Sequence, residues 1–162
     1  MKSALVLVDK DLNNEILEDF EYMGLSKEAW IEKIEKIIYR YFNDLENHLV
    51  YILFTDFRTN PLCEKFSGFF DFDAVIFHNS QNIYINTRGM KDLRQIVNSL
   101  VHELRHYHQI VNGQLTNESQ TSYKEKFGIN AGFYSFYDAP WEVDARNYEL
   151  EVSERCYNIL IS

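Results

Sequence analysis

Apolar side chains recur every three or four positions in four segments of the chain, a pattern typical of amphipathic helices. The first segment covers residues 11–23 and is closed by Gly24. The second covers residues 27–46 and follows Ser26, whose hydroxyl is suited to capping a helix N-terminus. Its predicted buried stripe consists of Trp30, Ile34, Ile37, Ile38, Tyr41, Phe42 and Leu45. We interpret this second helix as core scaffold and assign it no chemistry.

The third and fourth helical segments lie in the second half of the chain. The third is predicted to begin after Asp92, a capping residue, and to run to about Val111, shortly before Gly113. Its apolar stripe consists of Leu93, Ile96, Val97, Leu100, Leu104 and Val111. The fourth is predicted for about residues 140–158, because proline is well tolerated in the first turn of a helix.

Runs of β-forming residues predict strands between these helices. Residues 3–8 and 49–54 are apolar runs, and the second is typical of an interior strand. Residues 73–77 and 82–86 are separated by a short polar segment, which predicts a hairpin. Apolar and polar residues alternate in 82–86, and we interpret this run as an edge strand with one buried face. The Phe-rich residues 66–72 are expected to be irregular.

This mixture of helices and strands predicts an α+β fold. A chain of 162 residues is one domain by length, and no linker or internal repeat divides it. We therefore expect a single domain over residues 1–162, with residues 1–48 as an N-terminal scaffold and residues 49–162 as the core that carries the chemistry.

Composition and charge narrow the classes of function. The chain is 46% hydrophobic and 25% charged, as in ordinary soluble globular proteins. Its net charge of −9 argues against nucleic acid and anionic membrane surfaces as partners. The apolar run 4–8 is too short for a secretion signal, and no run has transmembrane length. Cys63 and Cys156 form no CxxC motif, so we expect a cytoplasmic protein with reduced thiols.

The third predicted helix contains the sequence HELRH, an HExxH motif, from His102 to His106. Side chains four residues apart lie on one face of a helix, so the two imidazoles can bind one small cation together. Both fall off the apolar stripe. Glu103 would lie beside the cation, where its carboxylate can take a proton from a bound water. Gln109 shares the face of the two histidines and is expected to be solvated.

A catalytic zinc ion usually has three protein ligands and one open position. No histidine follows His108, so we expect the third ligand to be a carboxylate. Glu142 is the best placed, because it lies near the start of the last predicted helix, where Ala145 leaves a shallow face. The other candidates are Glu118, Glu125, Asp138 and Asp144, of which Asp144 is expected to face solvent.

An HExxH helix followed by a glutamate on a later helix resembles the gluzincin clan of zinc metallopeptidases, in particular its small, single-domain, prophage-type members. The resemblance covers about residues 73–150. It implies a zincin-like fold with a small mixed or antiparallel sheet, and a peptide or protein substrate lying on the strand at 82–86. It also implies that Zn²⁺ is the cofactor. By position, the metal ligands would be His102, His106 and Glu142, and Glu103 would be the general base.

One position departs from the clan. Thermolysin-like members have an aspartate four residues after the ligand glutamate, where it orients a ligand histidine, whereas this chain has Arg146, which accepts no hydrogen bond. We expect Glu149 or a backbone carbonyl to take this role. The candidates for stabilising an oxyanion are Tyr134, Tyr137 and His108. The alternative function is a non-catalytic or latent zincin-fold module that binds or regulates a partner.

Overall fold

Three α-helices and two β-sheets make up the part of the chain that the computed structural model describes, residues 5–10, 21–55, 68–70, 81–86, 92–116 and 139–162. The strands are β1 (Leu5–Lys10), β2 (Glu21–Tyr22), β3 (Leu25–Ser26), β4 (Leu49–Thr55), β5 (Gly68–Phe70) and β6 (Gln81–Asn86). The helices are α1 (Lys27–Tyr41), α2 (Leu93–Val111) and α3 (Pro140–Ile161). The expected α+β class is therefore confirmed.

The larger sheet has the strand order β1-β4-β6-β5. Strands β1, β4 and β6 are parallel, with Ile52 opposite both Val8 and Ile83, and β5 is antiparallel to β6. The parallel pair β1 and β4 is connected through α1, because parallel neighbours need a long crossover. One face of the sheet packs on the helices through the buried side chains of Val6, Val8, Val50, Ile52, Phe54, Ile83 and Ile85.

The structure corrects the prediction that residues 82–86 form an edge strand. Strand β6 lies between β4 and β5, and β5 is the outermost described strand on that side. Ile83 and Ile85 are buried as predicted. The alternation of apolar and polar residues shows only that one face of the strand is covered, and this is true of interior strands as well as edge strands. The partner predicted at 73–77 lies outside the described residues. Strand β5 itself falls within residues 66–72, where no regular structure was expected.

A second correction concerns the end of the first predicted helix. Residues 21–22 form a short strand that pairs with β3, and the rest of the predicted helix, residues 11–20, lies outside the described residues. Met23 and Gly24, between the two strands, both have positive φ, 52° and 77°. A two-residue turn with positive φ at both positions matches the twist of a hairpin. The Trp30 indole donates to the Tyr22 carbonyl at 3.0 Å and holds this hairpin against α1.

The remaining helices follow the predicted starts closely. The Ser26 side chain accepts from Ala29 N in α1, and the Asp92 side chain accepts from Gln95 N in α2. Helix α1 ends at Tyr41, and a 3₁₀ turn at Asn43–Leu45 takes the place of its predicted last turn. Helix α2 packs against β5, β6 and α3. The contact between α2 and α3 brings together the residues of the candidate site. None of the helices in the described ranges is both long and apolar enough to cross a membrane.

Candidate metal centre

Two histidine side chains of α2 face the first turn of α3. Their imidazole rings lie 4.8 Å apart between centroids, as the four-residue spacing requires. The Nε2 atom of His102 lies 3.0 Å from Oε2 of Glu142, and Nε2 of His106 lies 3.0 Å from Oε1 of the same carboxylate. The structure therefore brings together the two histidines of the HExxH motif and Glu142, the residue that the sequence predicts as the third ligand.

The three side chains form a group that can hold a metal ion. One ligand atom from each lies within 4.8 Å of the others. Bonds of about 2.1 Å in a tetrahedral zinc site place neighbouring ligand atoms about 3.4 Å apart. The two separations of 3.0 Å between histidine nitrogen and carboxylate oxygen are within a few tenths of an ångström of that distance. Two imidazoles and one carboxylate are also a donor set that borderline-soft divalent metals accept.

Glu149 contacts His102 through the ring nitrogen that does not face Glu142. Its Oε2 atom lies 3.2 Å from Nδ1 of His102, on the opposite side of the ring from Glu142. Glu149 is two turns after Glu142 on α3, so both carboxylates project toward α2. The Glu149 carboxylate is therefore the acceptor for His102 that Arg146 cannot provide. Of the two groups expected in this role, Glu149 or a backbone carbonyl, the structure shows Glu149.

Gln109 supports the second histidine. Its Oε1 atom lies 2.9 Å from Nδ1 of His106, and its Nε2 atom donates to the Trp141 carbonyl at 2.7 Å and to Oδ2 of Asp144 at 2.8 Å. The side chain is 1% exposed, so the expectation of a solvated position was wrong. The signal was present in the sequence, because residue 109 lies one turn after His106 on the same face.

Asp144 is not one of the three candidate metal ligands, but it accepts a hydrogen bond from Gln109. Its side chain is 41% exposed, as expected of a position that faces solvent, but both of its oxygens also accept from the Arg105 guanidinium, at 2.8 Å and 3.1 Å. The hydrogen bonds from Arg105 lower the pKa of the Asp144 carboxyl, in spite of partial burial. The same guanidinium lies 4.2 Å above the Tyr148 ring, which limits its movement.

Charge in the site is concentrated in a small, mostly buried volume. Burial opposes protonation of His102, but its hydrogen bonds to Glu142 and Glu149 outweigh burial and raise its pKa to about 10. Burial also opposes the ionised form of Glu142, and contacts with both histidines outweigh it, so the pKa of this carboxyl lies well below its ordinary value. For these rings to bind a cation through Nε2, a proton must leave, so metal binding and proton release are coupled.

Glu103 is 6% exposed and is buried next to this group. Burial raises its pKa above the ordinary range, and the nearby His106 and His102 oppose this only in part. A carboxylate with a raised pKa is a stronger proton acceptor than an exposed one. The environment of Glu103 therefore suits a group that takes up and releases protons.

The other predicted site residues do not join the group. His108 lies on another side of α2, where its Nε2 atom is 3.5 Å from Asp44 and its ring meets Phe42 edge-on. Glu118, Glu125, Asp138, Tyr134 and Tyr137 lie outside the described residues.

Comparison of the chain with protein-family models, with curated proteins and with solved structures found no match in any of the three. The interpretation of the site therefore rests on its residues and their geometry.

Proposed function

We propose that this chain is a zinc-dependent metallopeptidase of the gluzincin type, with a zincin-like fold. The observation that carries the proposal is the approach of His102 Nε2 and His106 Nε2 to the two oxygens of Glu142, at 3.0 Å each. These three residues would hold the ion, and they match the three protein ligands of a catalytic zinc site, in which water or substrate takes the fourth position. The mixed sheet, with an antiparallel outer strand beside the HExxH helix, supports the fold assignment.

In this proposal each residue has a distinct task. Zinc, when bound, supplies a Lewis acid that polarises the scissile carbonyl and makes a water molecule more acidic. Glu103 accepts the proton of the attacking water and passes it to the leaving amine nitrogen. His102, His106 and Glu142 hold the cation, and Glu149 keeps the His102 ring oriented by accepting from Nδ1.

The proposed substrate is an extended peptide. In the described part of the sheet, β5 is the outer strand, and it contacts α2, the helix that carries the two histidines. An extended peptide can add to such an edge through main-chain hydrogen bonds. This replaces β6 as the proposed binding strand, since β6 is paired on both sides.

The decisive experiment measures metal content and hydrolysis in the same preparations. Protein purified without added metal should contain about one zinc per chain, and it should cleave members of a quenched fluorescent peptide library. Glu103→Gln should keep the zinc and the fold but lower the rate of hydrolysis by about 10²–10⁴-fold, because an amide cannot accept the proton.

The result separates the peptidase from its alternative. Zinc binding without cleavage of any library peptide, and with no difference between wild type and Glu103→Gln, would favour a non-catalytic or latent module. Absence of tightly bound divalent metal in the wild type would contradict the proposal at its first step.

A further inference from the structure

Gln109 connects the two helices that carry the proposed ligands. It lies in α2, one turn after His106, and its three hydrogen bonds reach His106, the Trp141 carbonyl and Asp144. Trp141 and Asp144 are on either side of Glu142 in the first turns of α3. A single buried amide therefore touches one proposed ligand and the backbone segment that presents another.

The partners of Gln109 determine which way its amide group points. An amide has one accepting oxygen and two donating N–H bonds. The Trp141 carbonyl and the Asp144 carboxylate can only accept, so the nitrogen must face them. Asp144 is itself held by two hydrogen bonds from Arg105, so it cannot easily turn away. The Gln109 oxygen is then left for His106.

The amide orientation in turn determines the proton position on His106. Because the Gln109 oxygen accepts, Nδ1 of His106 must carry a hydrogen. In the neutral ring, Nε2 then holds the lone pair, and Nε2 is the atom that lies 3.0 Å from Glu142. His106 is 7% exposed and Gln109 1% exposed, so water has little access to replace this contact.

We propose that Gln109 is a positioning residue that selects the metal-binding tautomer of His106 and holds the first turn of α3 so that Glu142 meets the same cation. This inference rests on the proposed metal-binding function. It differs from the role of Glu149, which supports His102 with a carboxylate.

The test uses Gln109→Met, which keeps the length of the side chain and removes its hydrogen bonds. Gln114→Met is the matched control, since Gln114 is exposed just beyond α2. In titrations against a chromophoric chelator, Gln109→Met should bind zinc about 10–100-fold more weakly than wild type. Gln114→Met should bind zinc as wild type does.

Nuclear magnetic resonance of ¹⁵N-labelled protein separates loss of this contact from general destabilisation. General destabilisation would also speed exchange of the backbone amides of α2, whereas loss of the Gln109 contact would speed exchange of the His106 Nδ1 proton alone. The Nδ1 proton of His106 should exchange slowly with water in the wild type and at least tenfold faster in Gln109→Met. If Gln109→Met does not fold, Gln109→Asn makes the same test, since its side chain is one methylene shorter and draws the amide away from His106.

Unchanged zinc affinity together with unchanged exchange of the His106 Nδ1 proton in Gln109→Met would overturn the proposal. Failure of the wild type to bind zinc would instead reject the proposed function. In that case the exchange rate of the His106 Nδ1 proton, compared between wild type and Gln109→Met without metal, still decides whether Gln109 holds this proton.

Discussion

The Nε2 atom of His106 and the Oε1 atom of Glu142 lie 3.0 Å apart, although the two residues belong to different helices. Helix α2 presents two imidazoles by its own periodicity, but it has no third side chain that can close a tetrahedron around a cation. The first turn of α3 provides that side chain. The packing of α2 on α3 is therefore what makes the HExxH motif a potential metal centre, and each prediction below tests one part of it.

Replacing Glu142 tests the third ligand. Glu142→Ala removes one of the three proposed protein ligands, so it should weaken zinc binding by at least about tenfold. Competition with a chelator measures this affinity. The same substitution should also abolish most of the increase in melting temperature that zinc produces in the wild type, since a bound ion stabilises the folded state by its binding free energy. Glu151→Ala, an exposed change on the same helix, should leave both measurements unchanged.

Retained zinc affinity in Glu142→Ala, with a loss in Glu118→Ala, Glu125→Ala or Asp138→Ala, would assign the third ligand to a different carboxylate.

Replacing Glu149 tests the support of His102. Glu149→Ala removes the acceptor 3.2 Å from His102 Nδ1 and should lower zinc affinity about 10–100-fold while all three proposed ligands remain. The cobalt-substituted variant should show an altered visible spectrum, because the His102 ring is free to rotate. Wild-type affinity and an unchanged spectrum would show that Glu149 does not orient this ligand.

The pH dependence of stability should differ between metal-free and zinc-bound protein. In metal-free protein the pKa of His102 is raised to about 10, so its contribution to stability is complete below its unfolded pKa of about 6.5 and is lost as pH rises through about 10. Zinc binding requires the deprotonated ring, so zinc affinity should increase with pH over the same window. Urea unfolding with chelator and with zinc, between pH 6 and pH 10, checks both slopes.

Equal slopes in His102→Asn and the wild type, each measured with chelator, would show that His102 is not the group responsible.

Replacing Ile52 tests the assignment of the interior strand β4 to the core. Ile52 is fully buried in β4, so Ile52→Ala should lower the free energy of unfolding by about 2–5 kcal/mol. Leu150 is 84% exposed on α3, and Leu150→Ala should change it by less than about 0.5 kcal/mol. Urea denaturation at constant zinc concentration measures both. A similar effect of the two substitutions would contradict the assignment of β4 to the core.

Local patterns in the sequence were sufficient for several elements. Asp92 caps α2 as predicted, because a cap is a contact between residues three positions apart. The four-residue spacing of His102 and His106 places both on one face of a helix, since the pitch of the helix decides it. The continuous apolar run of β4 predicted an interior strand, and both of its edges are paired. These features depend on chain geometry within a few turns.

Other features depended on how the elements pack. Ile83 and Ile85 show which face of β6 is buried, but not which strands pair with its two edges, because backbone hydrogen bonds do not depend on side-chain type. The spacing along α2 placed Gln109 on the metal face, but only the docking of α3 supplied Trp141 and Asp144 as its acceptors and buried it. The sequence by itself determined the types of the candidate ligands and the helical face that carries the two histidines. The tertiary structure decided which carboxylates meet them, because residues distant along the chain come together only through packing.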